Sequence, residues 1–286
     1  MRTQVKNGSV LLVDVIDIEA GAYHNCAIQN NGAMYCWGFN ADGQLGMNSI
    51  MDGSSAGKKT VQMALSMSAT CVITEEDSTK VKCAGFDYSN NDVGLTVVDM
   101  GDAVTIQTGK QGLTAGSTHF CALLDNTKAK CWGTNHKGQL GIGSAQFTTA
   151  SHASPVFVLT DSSGTELSGI TDIKAGYSST CVVASGSPMC FGNNRSYQMG
   201  IANGGANVLY PTLVTSIDNI TGKSLLSMHV GEYTGHAVFD DKSVHSVGTN
   251  RGGTFGDSST IDSQNIIGDS TNAIATQISF VIGSGK

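Results

Sequence analysis

Apolar positions in this chain recur with a period of two, in runs too short for helices. "MYCWG" at 34–38 and "AKCWG" at 129–133 alternate, while "CALL" at 121–124 and "CVVA" at 181–184 are brief continuous apolar runs. Turn residues separate the runs: Asn30-Asn31-Gly32, Asp125-Asn126-Thr127 and Ser185-Gly186. Short strands around such residues predict β-hairpins with tight connections.

The hairpin is written several times. Residues 26–46 read "CAIQNNGAMYCWGFNADGQLG", 121–141 read "CALLDNTKAKCWGTNHKGQLG" and 181–200 read "CVVASGSPMCFGNNRSYQMG". A looser copy is "CVITEEDSTKVKCAGFDYSNNDVG" at 71–94, and a fifth, "HAVFDDKSVHSVGTNRGGTFG" at 236–256, has His236 and Ser246 in place of cysteine. From Cys26 to Cys71, Cys121, Cys181 and His236 the intervals are 45, 50, 60 and 55 residues, the span of one small antiparallel sheet per repeat, as in a propeller blade. Upstream of the hairpins lie "DIEAG" at 17–21, "GLTAG" at 112–116, "DIKAG" at 172–176 and "SMHVG" at 227–231, each a further strand. Further upstream, "PVFVL" at 155–159 and "PTLVT" at 211–215 supply a fourth.

The eight cysteines form four local pairs, Cys26/Cys36, Cys71/Cys83, Cys121/Cys131 and Cys181/Cys190. Each pair straddles its turn, so its members face each other across an antiparallel hairpin, near the separation a disulfide needs. An even count at repeated spacing reads as disulfides made in an oxidising compartment, with free buried thiols as the alternative. Spacings of nine to twelve residues do not supply the clustered ligands of a structural zinc site. Sequons at Asn7, Asn194 and Asn219 are candidate N-glycosylation sites and agree with secretion.

At this point the sequence resembles a known family. "AGAYHNCAIQNNGAMYCWGFNADGQLG" and "AGSTHFCALLDNTKAKCWGTNHKGQLG" are similar to the repeat of the regulator of chromosome condensation family, and the copies at 61–95, 170–203 and 225–260 are degenerate versions. The resemblance implies an all-β fold, a β-propeller of about five such repeats, each a four-stranded antiparallel blade. It leaves open whether five blades close on themselves or form part of a seven-bladed ring. The expected repeats are 16–60, 61–111, 112–168, 169–223 and 224–286, within a single domain over 1–286 whose N-terminal strand at 9–16 completes the last blade. It also implies that Leu45, Leu140 and Met199 pack between blades, and that Trp37, Trp132 and Phe191 fill blade cores.

Composition narrows the function. Only 14% of the 286 residues are charged and the formal net charge is −7. With no Lys/Arg cluster, nucleic acid and anionic membranes are poor partners. The most apolar run, "VLLVDVIDI" at 10–18, is broken by Asp14 and Asp17, so it reads neither as a membrane-inserted span nor as a signal-peptide core, and no signal peptide is expected within the sequence. Nuclear members of the family act as exchange factors for the GTPase Ran and bind chromatin, which the acidic balance and paired cysteines disfavour. Two tryptophans are too few for the ultraviolet-receptor branch. His24 and His119 precede the cysteine strand and read as closers of blade hydrogen bonds, and Glu75, Glu76 and Asp77 read as solvated turn acids rather than a calcium site. No nucleophile elbow, zinc-protease helix or phosphate loop is present.

The expectation is therefore a non-catalytic, extracellular or lumenal propeller that needs no cofactor or metal. It would recognise a protein or glycan through loops on one face, with specificity carried by 47–60, 143–154 and 202–210. The alternative is a structural subunit of a cell-surface, appendage or virion assembly, contacting copies of itself. An enzyme would instead show a charged pocket at the ring axis with titratable groups of shifted pKa.

Overall fold

The computed structural model describes residues 6–7, 10–46, 59–86, 95–101, 105–107, 112–143, 151–218, 223–249 and 276–278. The chain forms five antiparallel sheets arranged in a ring, a five-bladed β-propeller. Blade 1 comprises Val15–Ala20, His24–Gln29 and Met34–Gly38, and blade 2 comprises Thr60–Leu65, Ala69–Thr74, Asp77–Gly85 and Leu95–Asp99. Blade 3 is Leu113–Ala115, His119–Leu123, Ala129–Thr134 and Ser151–Phe157; blade 4 is Ile170–Ala175, Ser179–Ala184, Ser187–Gly192 and Val208–Leu213. Blade 5 is Leu225–Val230, Thr234–Phe239, Val244–Gly248 and Thr276–Ile278. Each blade runs as a meander from an inner to an outer strand.

One expectation needs correction. The N-terminal residues do not complete the last blade: Lys6–Asn7 pairs with Val10–Leu11, Val15–Ala20 is the inner strand of blade 1, and Thr276–Ile278 is the outer strand of blade 5. The segments around 155–159 and 211–215 fall in the expected repeats 112–168 and 169–223, as the outer strands of blades 3 and 4, pairing backward with the third strand of each blade. The meander explains this, because a strand leaving the third position pairs at once with its neighbour.

Sequence symmetry sets the register. Cys26, Cys71, Cys121 and Cys181 stand directly opposite Cys36, Cys83, Cys131 and Cys190, and each pair is disulfide-bonded with Cα atoms 4.0–4.1 Å apart. In blade 5 the same position holds His236 and Ser246, joined by a 2.8 Å hydrogen bond between Nδ1 and Oγ. The glycine that follows the aromatic position is required in every blade. Gly38, Gly85, Gly133, Gly192 and Gly248 all have φ between 96° and 118°, and a Cβ there would lie within 2.6 Å of the backbone oxygen of Tyr23, Ser68, Thr118, Ser178 or Tyr233.

The core lies between blades. The stapled face of one blade packs on the inner strand of the next: Cys121 and Leu123 of blade 3 join Ile173 of blade 4, and Cys190 Sγ lies 3.7 Å from Met228 Sδ of blade 5. Trp132, Phe191, Leu140 and Met199 are buried in these junctions, whereas Trp37 and Leu45 remain partly exposed. Trp37 belongs to blade 1, whose inner strand Val15–Ala20 is itself largely exposed.

Candidate binding face

One end of the propeller is built from five copies of the same turn. Each inner strand hands over to the second strand through a loop closed by a backbone bond, Gly21 N to His24 O, Ser66 N to Ala69 O, Gly116 N to His119 O, Gly176 N to Ser179 O and Gly231 N to Thr234 O, at 2.7–2.9 Å. The turns of blades 2, 3 and 4 are stitched together, since Met67 N donates to Ser117 O and Ser117 N to Tyr177 O, both at 3.0 Å. Where they abut there is no room for a side chain: a Cβ on Gly116 would sit 2.2 Å from Gly176 O, and one on Gly176 1.9 Å from Val230 O. The third strand ends on the same rim, because Phe39 N donates to Tyr23 O and the four other blades repeat that bond.

Among the described residues, all four strongly exposed aromatic side chains lie on this rim: Tyr23, Phe39, Tyr177 and Tyr233. Tyr23 and Phe39 meet edge to face with centroids 6.1 Å apart. An aromatic ring left in water on a backbone held this firmly offers contact area at small entropic cost, the property of interface anchors.

The loops behind the rim are self-bonded. Asn40, Asn135 and Asn194 accept the amides of Leu45, Leu140 and Met199, and Gln44, Gln139 and Gln198 accept the amides two residues before them. The glutamine carbonyls also receive bonds across the junction. Thr70 Oγ1 donates to Gln44 O and Thr180 Oγ1 to Gln139 O, so each threonine accepts from a histidine of the preceding blade, His24 or His119, through Nε2 at 2.8 Å. Burial alone pushes the His24 pKa down and that of His119 down to about 3. Both histidines are therefore neutral structural donors. Sequence reading placed them in the blade hydrogen-bonding but missed the Thr–Gln partners, which lie 46 and 61 residues from the histidines at the threonine end.

At the axis all five inner strands surround a cavity of about 190 Å³, with Glu19, Leu65, Thr114, Lys174 and His229 in its wall. Burial raises the Glu19 pKa, the Asp17 charge raises it further, and Lys174 opposes both. The His229 pKa is lowered by burial and by Lys174, with Asp172 acting the other way. Lys174 pairs with Asp172 at 3.4 Å. Ser227 Oγ donates to Asp172 Oδ2 at 2.6 Å and meets His229 Nε2 at 3.2 Å. Because the serine proton is committed to Asp172, His229 is the donor to Ser227. This is the reverse of the arrangement in which histidine takes a proton from a nucleophilic serine.

The other sequence candidates are dispersed. Among the described residues no three His, Cys, Asp or Glu side chains converge as metal ligands. Asp77 accepts from Thr79 N and Oγ1, which lowers its pKa, and Glu75 is 3.7 Å from Lys59. Asn194 is withdrawn as a glycosylation candidate: it is fully buried, and its Nδ2 donates to Ile201 O and Asn203 Oδ1. The side chain of Asn7, residue Asn219, and most of 47–60 and 143–154 lie outside the described residues. The 202–210 segment is tied to Asn194 through Asn203. Among the described residues, no helix is long and apolar enough to cross a membrane.

The repeat profile described as "Regulator of chromosome condensation (RCC1) repeat" matches residues 15–44 and 112–139, and a second profile of that description matches 131–183. The chain is 25% identical to Protein pim1 of Schizosaccharomyces pombe over 217 residues, 72% of this chain and 32% of that protein. It is 29% identical to the mouse (Mus musculus) Regulator of chromosome condensation over 142 residues, 46% of this chain and 34% of the other. It thus spans about a third of the length of these curated relatives. The crystal structure of Prp20p from Saccharomyces cerevisiae, 19% identical, superposes with a TM-score of 0.65 over 82% of this chain and 57% of that one.

Proposed function

From a five-bladed β-propeller whose residues 15–44 and 112–183 match the regulator of chromosome condensation repeat, we propose that the chain is a non-catalytic binding module of an oxidising compartment, extracellular or lumenal, that recognises a protein through its aromatic-rimmed turn face. The observation that carries this reading is the confinement of the strongly exposed aromatics, among the described residues, to one rim whose turns are each closed by the same backbone bond. The four staples support the compartment, because such bonds persist where thiols are not kept reduced. A protein ligand agrees with the architecture's use elsewhere, since the structural report on Prp20p describes binding to Gsp1p and histones. The axial cavity has the charged lining and shifted groups that an enzyme would show, Glu19 raised and His229 lowered beside Lys174; what supports the non-catalytic reading is the order Asp172, Ser227, His229, in which the serine proton goes to Asp172 and no nucleophile is prepared.

The test compares the wild type with Tyr23→Ala/Phe39→Ala/Tyr177→Ala/Tyr233→Ala and with an opposite-end control, Asn30→Ala/Asp125→Ala/Asp240→Ala. Proteins cross-linked to the wild type from its native surroundings should persist with the control and be lost with the rim variant, at unchanged melting temperature. Loss with the control alone would refute the assignment of the face. Binding restricted to a glycan array would replace the protein by a carbohydrate.

A further inference from the structure

The wall of the axial cavity is built by the symmetry of the repeat. In each blade one inner-strand residue stands opposite the first cysteine site, or His236 in blade 5, and these residues, Glu19, Ala64, Thr114, Lys174 and His229, all line the cavity. Each is two residues before the start of its turn at Gly21, Ser66, Gly116, Gly176 or Gly231, so the cavity lies at the rim end of the axis. Strand alternation brings Asp17, Gln62, Asp172 and Ser227, two residues earlier still, to the same side of their strands.

The charges around this ring do not balance. Asp172 pairs with Lys174 at 3.4 Å and takes the Ser227 proton, whereas Glu19 has no ion-pair or hydrogen-bond partner among the described residues. Burial and the neighbouring Asp17 charge raise the Glu19 pKa and only Lys174 opposes them, the mark of a carboxylate short of positive charge. The uncharged polar groups act as acceptors: Thr114 Oγ1 takes the amide of Ala175 at 3.1 Å, and His229, whose proton is on Nε2 toward Ser227, keeps a lone pair on Nδ1. Leu65, Leu113 and Val230 supply apolar wall. A volume of about 190 Å³, against the roughly 10–15 Å³ that one water requires, admits a group of several heavy atoms.

We propose that the axial cavity binds an organic cation, an alkylammonium or alkylguanidinium group whose charge pairs with Glu19 and whose hydrocarbon stem lies on Leu65, Leu113 and Val230. The wall favours a donor-rich, positively charged ligand because its acceptors are Glu19, Thr114 and His229, while the Lys174 ammonium is already paired with Asp172. A stem is called for because apolar residues, which give a metal ion nothing, make up the rest of the wall, and among the described residues no three metal-ligating side chains converge. A formal net charge of −7 favours the approach of any cation. Two sources carry such a group: a free small amine, and a lysine or arginine side chain of a protein seated on the rim. Only the second rests on the protein-binding reading of that face.

Nuclear magnetic resonance titration of the wild type and of Glu19→Gln with n-butylammonium, n-butylguanidinium and, as the anionic counterpart, butyrate tests it. The cations should shift the amide resonances of Glu19, Thr114, Lys174 and His229 saturably, about tenfold more weakly in Glu19→Gln, and butyrate should not saturate. Glu19 is partly exposed, so the variant should melt like the wild type, and the wild-type titration alone separates cation from anion. Saturation by butyrate alone, cation binding undiminished in Glu19→Gln, or no saturation by either cation would overturn the proposal. Cross-linking of the protein captured on the rim then separates the sources. Capture weakened by Glu19→Gln and competed by n-butylguanidinium assigns the cation to that protein's side chain, and capture unchanged assigns it to a free amine. Capture that survives replacement of the four rim aromatics would overturn the rim reading and leave the cation site, which the titration tests, standing.

Discussion

Acidification should weaken this propeller through a histidine that never meets solvent. His119 has no exposed surface, its Nε2 is committed to Thr180, and its Nδ1 has no partner. Protonation would place an N–H at Nδ1, beside Gly116, with nothing to receive it. That is why burial takes its pKa down to about 3, against 6.5 in an exposed chain. Between those values the unfolded chain binds a proton that the folded one refuses, so stability is complete above pH 6.5 and falls by about 1.4 kcal/mol per pH unit below it. At pH 5 the loss from this one group is about 2 kcal/mol. The assay is denaturant unfolding at pH 7.5 and pH 5.0, disulfides intact, of the wild type and of His119→Gln, which keeps a donor toward Thr180 but does not titrate. The wild type should lose about 2 kcal/mol more than the variant on acidification. Equal losses would refute the buried neutral imidazole. His24, lowered in the same direction by its own burial, should flatten the profile further when replaced as well.

Other outcomes follow from packing and backbone geometry. Cys121→Ser/Cys131→Ser opens a staple closing a loop of about ten residues and should cost about 3 kcal/mol on the chain-entropy account, with the far-ultraviolet dichroism of the fold retained, as blade 5 retains its sheet with His236 and Ser246. Calorimetry checks this, and reduction of all four pairs should cost far more. Tyr197 has φ 54° where the equivalent loops carry Gly43 and Gly138, so Tyr197→Gly should raise stability by up to about 1 kcal/mol, read as a higher melting temperature. Gly116→Ala should destabilise by about 3 kcal/mol in urea unfolding, because its Cβ would meet both Gly176 O and the His119 ring.

The repeats, the hairpins and the opposed cysteine sites were legible because they depend on contacts within about twelve residues, where strand pairing turns symmetry in sequence into register. The expected repeats 112–168 and 169–223 contain Ser151–Phe157 and Val208–Leu213, but which strand each would pair with was not legible. An outer strand's sequence does not say whether it pairs backward or forward, and only the meander decides. Trp37 carries the same motif as Trp132, yet one is partly exposed and the other buried, a difference the motif does not encode. Of the rim, Tyr23, Tyr177 and Tyr233 sit in turns that sequence spacing could align. Their convergence on one face, and the meeting of Glu19, Lys174 and His229 at the axis, required the ring itself.

The most direct test of the binding-face account is a hydrogen-exchange footprint of the propeller with and without a protein captured on it. Protection should concentrate in the turns at 21–24, 66–69, 116–119, 176–179 and 231–234 and at Phe39. Protection confined to the opposite end, at the hairpin turns around Asn30, Asp125 and Asp240, would contradict it.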